Sequence, residues 1–172
     1  MLKRVAVTGP ESTGKTELAA WLANAYHTLW VPEYAREYLE INGPDYLLED
    51  VVAIARGQLV RENAIAKNAR EVLFCDTDLL VTKIWCEVVF GTCPEWIEQQ
   101  FHLHRYELYL LCYPDIPWEP DPLRENPDDR GKLFTLYRQT LEENNLPFQV
   151  VKELGDVRFE NARTFVDEIL KI

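Results

Sequence analysis

A glycine-rich loop between a short strand and a helix constrains this chain more than any other feature. Residues 9–16 read Gly-Pro-Glu-Ser-Thr-Gly-Lys-Thr, which matches the pattern G-x-x-x-x-G-K-[ST]. The apolar run at 2–8 predicts a buried strand, and the apolar spacing from about 14 to 27 predicts a helix. Strand, loop and helix in this order are the context in which this pattern wraps the phosphates of a nucleotide.

The pattern assigns a chemical role to individual loop residues. Backbone N–H groups would cradle the phosphates, Lys15 would reach the β- and γ-phosphates, and the Thr16 hydroxyl would bind Mg²⁺. Glycine is needed at Gly9 and Gly14 because the loop bends sharply and passes close to its ligand. We therefore expect ATP and Mg²⁺ to bind here. The expected phosphate-binding residues are Gly9, Glu11, Ser12, Thr13, Gly14, Lys15 and Thr16.

Length and charge narrow the class of protein. The chain has 172 residues, which suits a single α/β domain over 1–172. Its formal net charge of −11 without a basic stripe argues against nucleic acid as a partner. With no apolar stretch of membrane-spanning length and no signal-peptide pattern, we expect a cytoplasmic protein that does not bind membranes. The sequence leaves open whether it forms a homo-oligomer.

The order of apolar runs predicts the fold class. Strand and helix patterns alternate, which favours a parallel sheet with helices on both faces. With the phosphate loop, the prediction is therefore α/β: a three-layer P-loop NTPase fold with a five-stranded parallel sheet and a lid segment at about 115–131. The predicted strands are 2–8, 29–32, 71–75, 108–112 and 148–151. The predicted helices are 14–27, 47–71, 78–90, 94–104 and 158–171.

Carboxylates follow two of these strands, at the edge of the sheet where ligands bind in open parallel sheets. Asp76 ends the apolar third strand, the position of an acid that holds Mg²⁺ in phosphate-loop enzymes. It would serve equally as a helix N-cap, and so would Asp78. We favour Asp76 for the metal and leave Asp78 as either a cap or a substrate contact.

Glu33 ends the second strand and is the first candidate for a catalytic base. A phosphoryl acceptor hydroxyl needs a carboxylate within hydrogen-bond reach, and Asp76 is the second candidate for that role. Arg36 lies three residues after Glu33, on the same face if the segment is helical, and we count it among the substrate-site residues. The alternative is an ordinary surface ion pair between Glu33 and Arg36.

The proline-rich stretch 115–130 predicts a loop over the site. Its prolines exclude a regular helix from most of it, and long loops in compact domains are often active-site lids. Arg124 and Arg130 are candidate arginine fingers that would stabilise charge during transfer. Trp118 and Tyr34 are candidates to stack on an aromatic ring of the substrate, with packing of the loop as the alternative for Trp118.

Three further segments give the chain a resemblance to a known family. They are Val31-Pro32-Glu33-Tyr34-Ala35-Arg36, Phe74-Cys75-Asp76-Thr77-Asp78, and Asp115-Ile116-Pro117-Trp118 with Asp121. With the glycine-rich loop, in this order and spacing, they resemble the ribosylnicotinamide kinase domain of the NadR family. Members are P-loop kinases that are often described as AAA-type ATPases. The resemblance runs over almost the whole chain.

The resemblance implies ATP-dependent phosphorylation of nicotinamide riboside to nicotinamide mononucleotide in NAD salvage. By the same resemblance, Asp115, Trp118 and Asp121 would lie near the riboside, and Gly155 and Arg158 near the adenine. Longer family members carry an adenylyltransferase domain before the kinase strand. Because this chain begins at that strand, we expect neither adenylyltransferase activity nor DNA repression.

Two other functions remain open on the sequence alone. One is a kinase of the same fold that acts on another nucleoside or nucleotide. The other is a regulatory switch that hydrolyses a nucleotide and acts on a partner protein. A GTPase is disfavoured because the fourth strand is followed by Tyr113-Pro114-Asp115, and the chain has no Asn-Lys-x-Asp guanine motif.

Overall fold

Strands and helices alternate along the chain, as the sequence predicts. A computed structural model describes residues 1–171, which contain five strands and seven helices. The strands are β1 (Lys3–Thr8), β2 (Trp30–Val31), β3 (Val72–Asp76), β4 (Leu108–Cys112) and β5 (Phe148–Val151). The helices are α1 (Lys15–Ala25), α2 (Tyr34–Asn42), α3 (Leu48–Ala66), α4 (Leu79–Phe90), α5 (Glu95–Leu103), α6 (Arg130–Glu143) and α7 (Gly155–Leu170). No helix within 1–171 is long and apolar enough to cross a membrane.

All five strands are parallel and form one sheet in the order β2-β3-β1-β4-β5. The first strand is therefore central, with Val7 opposite Asp76 of β3 on one side and Leu110 of β4 on the other. The chain passes from β1 to β2 and β3 on one side of it and then crosses to β4 and β5 on the other side. Ligands bind at the carboxyl ends of the strands where the strand order reverses in this way. The predicted α/β fold class is confirmed.

Helices cover both faces of the sheet, and alternate strand residues face opposite layers. Val5 and Val7 pack in one apolar core with α1 and α7, whereas Ala6 between them belongs to the core formed with α3, α4, α5 and α6. Phe74 and Cys75 divide between the two cores in the same way. Burial on both faces explains why these strands read as continuous apolar runs.

Helices α2 and α6 are absent from the predicted helices, which left open whether the segment after Glu33 is helical and included none between the lid and β5. Helix α6 follows the lid segment directly. It buries Leu133, Phe134, Tyr137 and Leu141, whose spacing follows one helical face. This helical spacing begins directly after the proline-rich stretch. Smaller differences concern helix ends: α3 ends at Ala66, short of residue 71, and α7 begins at Gly155, ahead of residue 158.

Candidate active site at the carboxyl edge of the sheet

The loop 9–14 joins the central strand to α1. Its two glycines have positive φ angles and lie close to neighbouring atoms, as a tight phosphate-binding turn requires. Gly9 has φ +128°, and a Cβ there would lie 2.9 Å from the carbonyl oxygen of Cys112. Gly14 has φ +74°, and a Cβ there would lie 2.9 Å from Ile116 Cδ1. Gly9 therefore requires glycine for both backbone conformation and space, whereas Gly14 requires it chiefly for its left-handed conformation, because the end of the Ile116 side chain can shift. The free N–H groups of the first turn of α1 point out of the loop toward any anion held there.

Side chains within the loop brace its shape. Thr13 Oγ1 and Lys15 Nζ each donate a hydrogen bond of 2.7 Å to the carbonyl oxygen of Pro10. Thr13 is buried, so its hydroxyl serves the backbone of the loop. The Lys15 side chain reaches across the opening of the loop. When a phosphate binds, its ammonium group can leave the Pro10 carbonyl oxygen and bond to the phosphate instead.

Asp76 meets Thr16 at the point where β3 ends beside the loop. Thr16 Oγ1 donates a 2.5 Å hydrogen bond to Asp76 Oδ2, and Asp76 is 1% exposed. Its other oxygen, Oδ1, is buried and has no hydrogen-bond partner among residues 1–171. Burial raises the pKa of Asp76, opposed by the Thr16 hydrogen bond and the Lys15 charge. A hydroxyl and an unpaired carboxylate oxygen at a phosphate site fit a hard divalent cation such as Mg²⁺.

Glu33 lies at the junction of β2 and α2, one strand away from Asp76. Its pKa is raised to about 7, chiefly by burial and next by repulsion from Asp76, against the opposing charges of Lys15 and Arg36. A carboxyl group whose pKa lies near neutral pH can exchange a proton with a substrate hydroxyl under ordinary conditions. Paired carboxylates with raised pKa values in a cleft are typical of catalytic sites.

The phosphate loop and Glu33 line one end of a cavity of about 500 Å³ that opens at the carboxyl edge of the sheet. The other end is an apolar chamber between α2, α4 and α6, with three aromatic side chains in its wall. We call this end the acceptor chamber. Its principal wall residues are Leu39, Tyr46, Ile84, Trp85, Leu133 and Tyr137.

The sequence analysis did not identify the chamber wall. Its residues come from segments far apart in the chain, and each follows the apolar periodicity of a helix that would equally fit a core. Tyr46 is an exception, because it stands alone in the loop before α3. A lone aromatic residue in a polar loop was the one available signal.

The segment 116–130 folds over the phosphate loop and is bonded to its backbone. Arg130 Nη1 donates to the carbonyl oxygens of Ser12 at 3.0 Å and Ile116 at 2.8 Å. The N–H of Glu119 donates to Ser12 Oγ at 2.9 Å. The Arg130 side chain thus holds this segment on the phosphate loop. Among residues 1–171 it is not part of the cavity wall.

The structure brings together part of the site that the sequence predicts. Among the predicted residues, the cavity wall includes Gly9, Glu11, Ser12, Thr13, Gly14, Lys15, Thr16, Glu33, Arg36 and Arg124. Within residues 1–171 it does not include Tyr34, Asp76, Asp78, Asp115, Trp118, Asp121, Arg130, Gly155 or Arg158. Of these, Asp76 still reaches the site through Thr16.

The two aromatic residues expected to stack on the substrate are engaged elsewhere. The Tyr34 ring packs on Gly57, whose lack of a side chain makes room for it, with the Arg61 guanidinium 4.8 Å from the ring centre. Trp118 lies beneath the guanidinium of Arg130, 5.6 Å from its ring centre. Both rings therefore contact the protein's own arginines, and neither belongs to the wall of the acceptor chamber within residues 1–171. Stacking of either ring on the substrate stays a prediction.

Two acidic residues expected near the substrate also have protein partners. Asp78 is 1% exposed and caps α4, accepting hydrogen bonds of 3.1 Å from the Val81 N–H and from Thr8 Oγ1. Of its two expected roles, the structure therefore favours the cap. Asp121 pairs with Arg36 at 3.1 Å, so the partner of Arg36 is the lid segment and not Glu33.

Asp115, whose side chain is 26% exposed, forms an ion pair with the buried Arg158 behind the phosphate loop. Arg158 is 2% exposed, and its Nη1 donates to Asp115 Oδ1 at 2.9 Å while its Nη2 donates to the carbonyl oxygen of Thr13 at 2.6 Å. Asp115 Oδ2 accepts from the Glu153 N–H at 2.7 Å. The pair thus joins the phosphate loop to the turns after β4 and β5. The contact between Asp115 and a riboside stays a prediction.

Fold and site together define a P-loop kinase-like protein, with a phosphate-binding loop on the central strand of a parallel sheet and a separate chamber beside it. The chain belongs to a family of AAA domains, whose model (AAA_28, "AAA domain") matches residues 4–158. This match and those that follow confirm the resemblance drawn from the sequence motifs.

Two curated relatives are trifunctional NAD biosynthesis/regulator proteins named NadR. The protein from Escherichia coli K12 is 32% identical over 176 residues, and the one from Salmonella typhimurium LT2 is 31% identical over 178 residues. Each alignment covers 98% of this chain and 43% of the relative. The chain therefore spans less than half the length of these relatives.

Solved structures share the fold at lower sequence identity. A NadR protein in complex with NAD and AMP-PNP is 24% identical with a TM-score of 0.81, covering 99% of this chain and 50% of that one. A deoxyadenosine kinase from M. mycoides is 14% identical with a TM-score of 0.67, covering 96% of this chain and 99% of that one. These two proteins therefore share the fold of this chain.

Proposed function

We propose that this protein is an ATP-dependent kinase that phosphorylates nicotinamide riboside to nicotinamide mononucleotide. The observation that carries the proposal is that Glu33, a carboxyl group whose pKa is raised to about 7, lines the same cavity as the phosphate loop and the acceptor chamber. A base in this cavity can accept the proton of a hydroxyl that attacks a phosphate held by the loop. In this proposal residues 115–131 act as the lid.

The donor half of the site would bind ATP with Mg²⁺. Lys15 and the N–H groups of the loop would hold the β- and γ-phosphates, and Thr16 and Asp76 would hold the metal. When bound, Mg²⁺ would neutralise charge that builds up on the transferring group. Arg124 lines the cavity from the lid segment and is the arginine we propose for the same purpose. The adenine would lie near the turn that begins α7 at Gly155.

The acceptor half would take the riboside. The chamber offers an apolar wall with three aromatic residues, Tyr46, Trp85 and Tyr137, which suits a planar base. The similarity to NadR proteins supports nicotinamide riboside among nucleosides, because one solved NadR structure is a complex with NR and another contains AMP-PNP. The chamber wall, and not Trp118 or Tyr34, would contact the base.

A coupled assay with purified protein tests the proposal. We expect slow ADP formation from Mg-ATP alone, a strong increase on adding nicotinamide riboside, and nicotinamide mononucleotide formed in equal amount to ADP. Lys15→Ala should abolish the increase, because the phosphates lose their positive partner. ADP formation at the same rate with and without any nucleoside would overturn the kinase proposal in favour of a nucleotide-hydrolysing switch.

A nucleoside monophosphate is the second candidate acceptor. Two arginines, Arg36 and Arg124, line the same cavity and could bind a phosphate on the acceptor. An acceptor panel of nicotinamide riboside, common nucleosides and their monophosphates separates the candidates. A higher kcat/KM for any monophosphate than for nicotinamide riboside would favour a nucleotide kinase.

A further inference from the structure

A chain of hydrogen bonds leads from the acceptor chamber to the lid segment. Trp85 Nε1 donates to the Tyr46 hydroxyl at 2.9 Å, and that hydroxyl donates to Glu125 Oε2 at 2.7 Å. The rings of Tyr46 and Trp85 meet edge to face with centres 4.9 Å apart, and both line the chamber. Because the hydroxyl accepts one bond and donates another, its direction is fixed by both neighbours.

The same part of the lid segment is bonded to the phosphate loop. The main-chain N–H groups of Glu125 and Asn126 donate to Glu11 Oε2 at 3.1 and 3.2 Å, and the Asn126 amide adds a contact of 3.4 Å. Glu11 belongs to the phosphate loop itself. Residues 125–126 therefore contact the chamber through a side chain and the phosphate loop through the backbone.

We propose that Tyr46 is a positioning residue that couples acceptor binding to nucleotide binding through Glu125 and Glu11. An acceptor packed against Tyr46 and Trp85 would exclude water from the Tyr46–Glu125 bond and immobilise it. That bond fixes residues 125–126, and these hold Glu11 and the phosphate loop in the closed arrangement. By linkage, each ligand then tightens the other. The inference rests on the proposed kinase function.

The Tyr46 ring also packs edge to face on Phe90, with ring centres 6.1 Å apart, and against the apolar core, but that packing needs only the ring and not its hydroxyl. Tyr46 stands in an irregular loop between α2 and α3, where a tyrosine is not needed to form the turn. Its hydroxyl contacts one chamber residue and one lid residue, and neither bond lies within the loop that carries it. A phenylalanine would fill the same space in the chamber but would break both bonds.

The test compares Tyr46→Phe with the matched control Tyr38→Phe. Tyr38 also loses a hydroxyl hydrogen bond, 2.6 Å to Asp50, but does not line the cavity. Calorimetry measures the Kd of Mg-AMP-PNP with and without nicotinamide riboside. We expect the riboside to lower this Kd by about 5-fold or more in the wild type and in Tyr38→Phe. In Tyr46→Phe the ratio should fall to about one.

A second pair of variants separates coupling from general damage. Glu125→Gln keeps an oxygen that can accept from the Tyr46 hydroxyl and should retain the coupling, whereas Glu125→Ala should lose it. Hydrogen exchange of the 125 and 126 amides gives a readout that needs no acceptor. It should be faster in Tyr46→Phe than in Tyr38→Phe.

The outcomes are distinguishable. If the wild type neither binds nor phosphorylates nicotinamide riboside, the proposed function fails, and hydrogen exchange still decides whether Tyr46 holds residues 125–126. If the wild type is a kinase but Tyr46→Phe retains both the wild-type Kd ratio and the wild-type exchange rates, the coupling role is overturned.

Discussion

Thr16 of the phosphate loop and Asp76 at the end of β3 are joined by a 2.5 Å hydrogen bond across 60 positions of sequence. The bond holds a hydroxyl beside a carboxylate that still has one buried oxygen without a partner in residues 1–171. The neighbouring strands β1 and β3 thus bring this hydroxyl and this carboxylate together, because Val7 lies opposite Asp76, and we propose the pair as the Mg²⁺ site.

The first prediction concerns this pair. Asp76→Asn replaces one oxygen by an amide nitrogen, which cannot bind a cation, and leaves the other to accept from Thr16. We expect the apparent Kd for Mg²⁺ in the nucleotide complex to rise about 10- to 100-fold. Titration of activity with Mg²⁺ at saturating ATP measures it. Thr16→Ser, which keeps the hydroxyl, is the control, and an unchanged Mg²⁺ titration in Asp76→Asn would remove Asp76 from the metal site.

The second prediction concerns Glu33 as the base. Its pKa is raised to about 7 by burial and by Asp76, and a base must be ionised to accept a proton. Activity of the wild type should therefore rise with pH through about 7. Glu33→Gln should lower kcat by about 10²- to 10⁴-fold, remove this pH dependence and change the KM for ATP far less.

The control for Glu33 is Glu37→Gln on the exposed side of the same helix, where Glu37 pairs with Arg61. This variant should keep both kcat and the pH profile. If Glu33→Gln retains the rise in activity through pH 7, the base is another group, and Asp76 is the second candidate.

The third prediction links Asp78 to stability. Burial raises its pKa from 3.8 to about 7, so the native state binds a proton more tightly than the unfolded chain. The free energy of unfolding should therefore fall as pH rises from about 4 to about 7, by at most about 1.4 kcal/mol per pH unit for this group. Glu33, whose pKa is also raised, contributes in the same direction.

Asp78→Asn isolates the contribution of Asp78. Asparagine resembles the protonated acid and keeps an oxygen for the Val81 cap and the Thr8 hydroxyl, but it does not titrate. Urea unfolding of both proteins at several pH values should give a shallower pH slope for the variant. Parallel stability curves would mean that Asp78 keeps an ordinary pKa.

Features that depend on a short stretch of neighbouring residues can be predicted from the sequence. The glycine loop, the apolar strands and the acids at their ends are short segments whose order implies a parallel sheet, and the fold followed from them. Glu33 was identified because it ends a strand, and the cavity does include it. Because parallel strands bring their carboxyl ends to one edge of the sheet, the order of the strands is enough to place Glu33 near the phosphate loop.

Side-chain partners from distant segments could not be predicted in this way. Nothing in the sequence indicates that Trp118 lies under Arg130 or that Tyr34 packs on Gly57, because each depends on how a loop or helix settles on its neighbour. The acceptor chamber is of the same kind. Its wall is formed where α4 and α6 meet the loop that carries Tyr46.

The last prediction decides between two roles for Asp115. If it contacts the riboside, Asp115→Asn should raise the acceptor KM. The structure instead pairs it with Arg158, which is 2% exposed and also holds the Thr13 carbonyl oxygen. We therefore expect Asp115→Asn to raise the KM for ATP more than that for the acceptor, and to lower the free energy of unfolding by about 3 kcal/mol, since it leaves a buried charge unpaired. Arg158→Met combined with Asp115→Asn should destabilise less than the sum of the single changes, by about 0.5–3 kcal/mol. If the two changes in unfolding free energy are strictly additive and Asp115→Asn alters only the acceptor KM, Asp115 contacts the riboside instead.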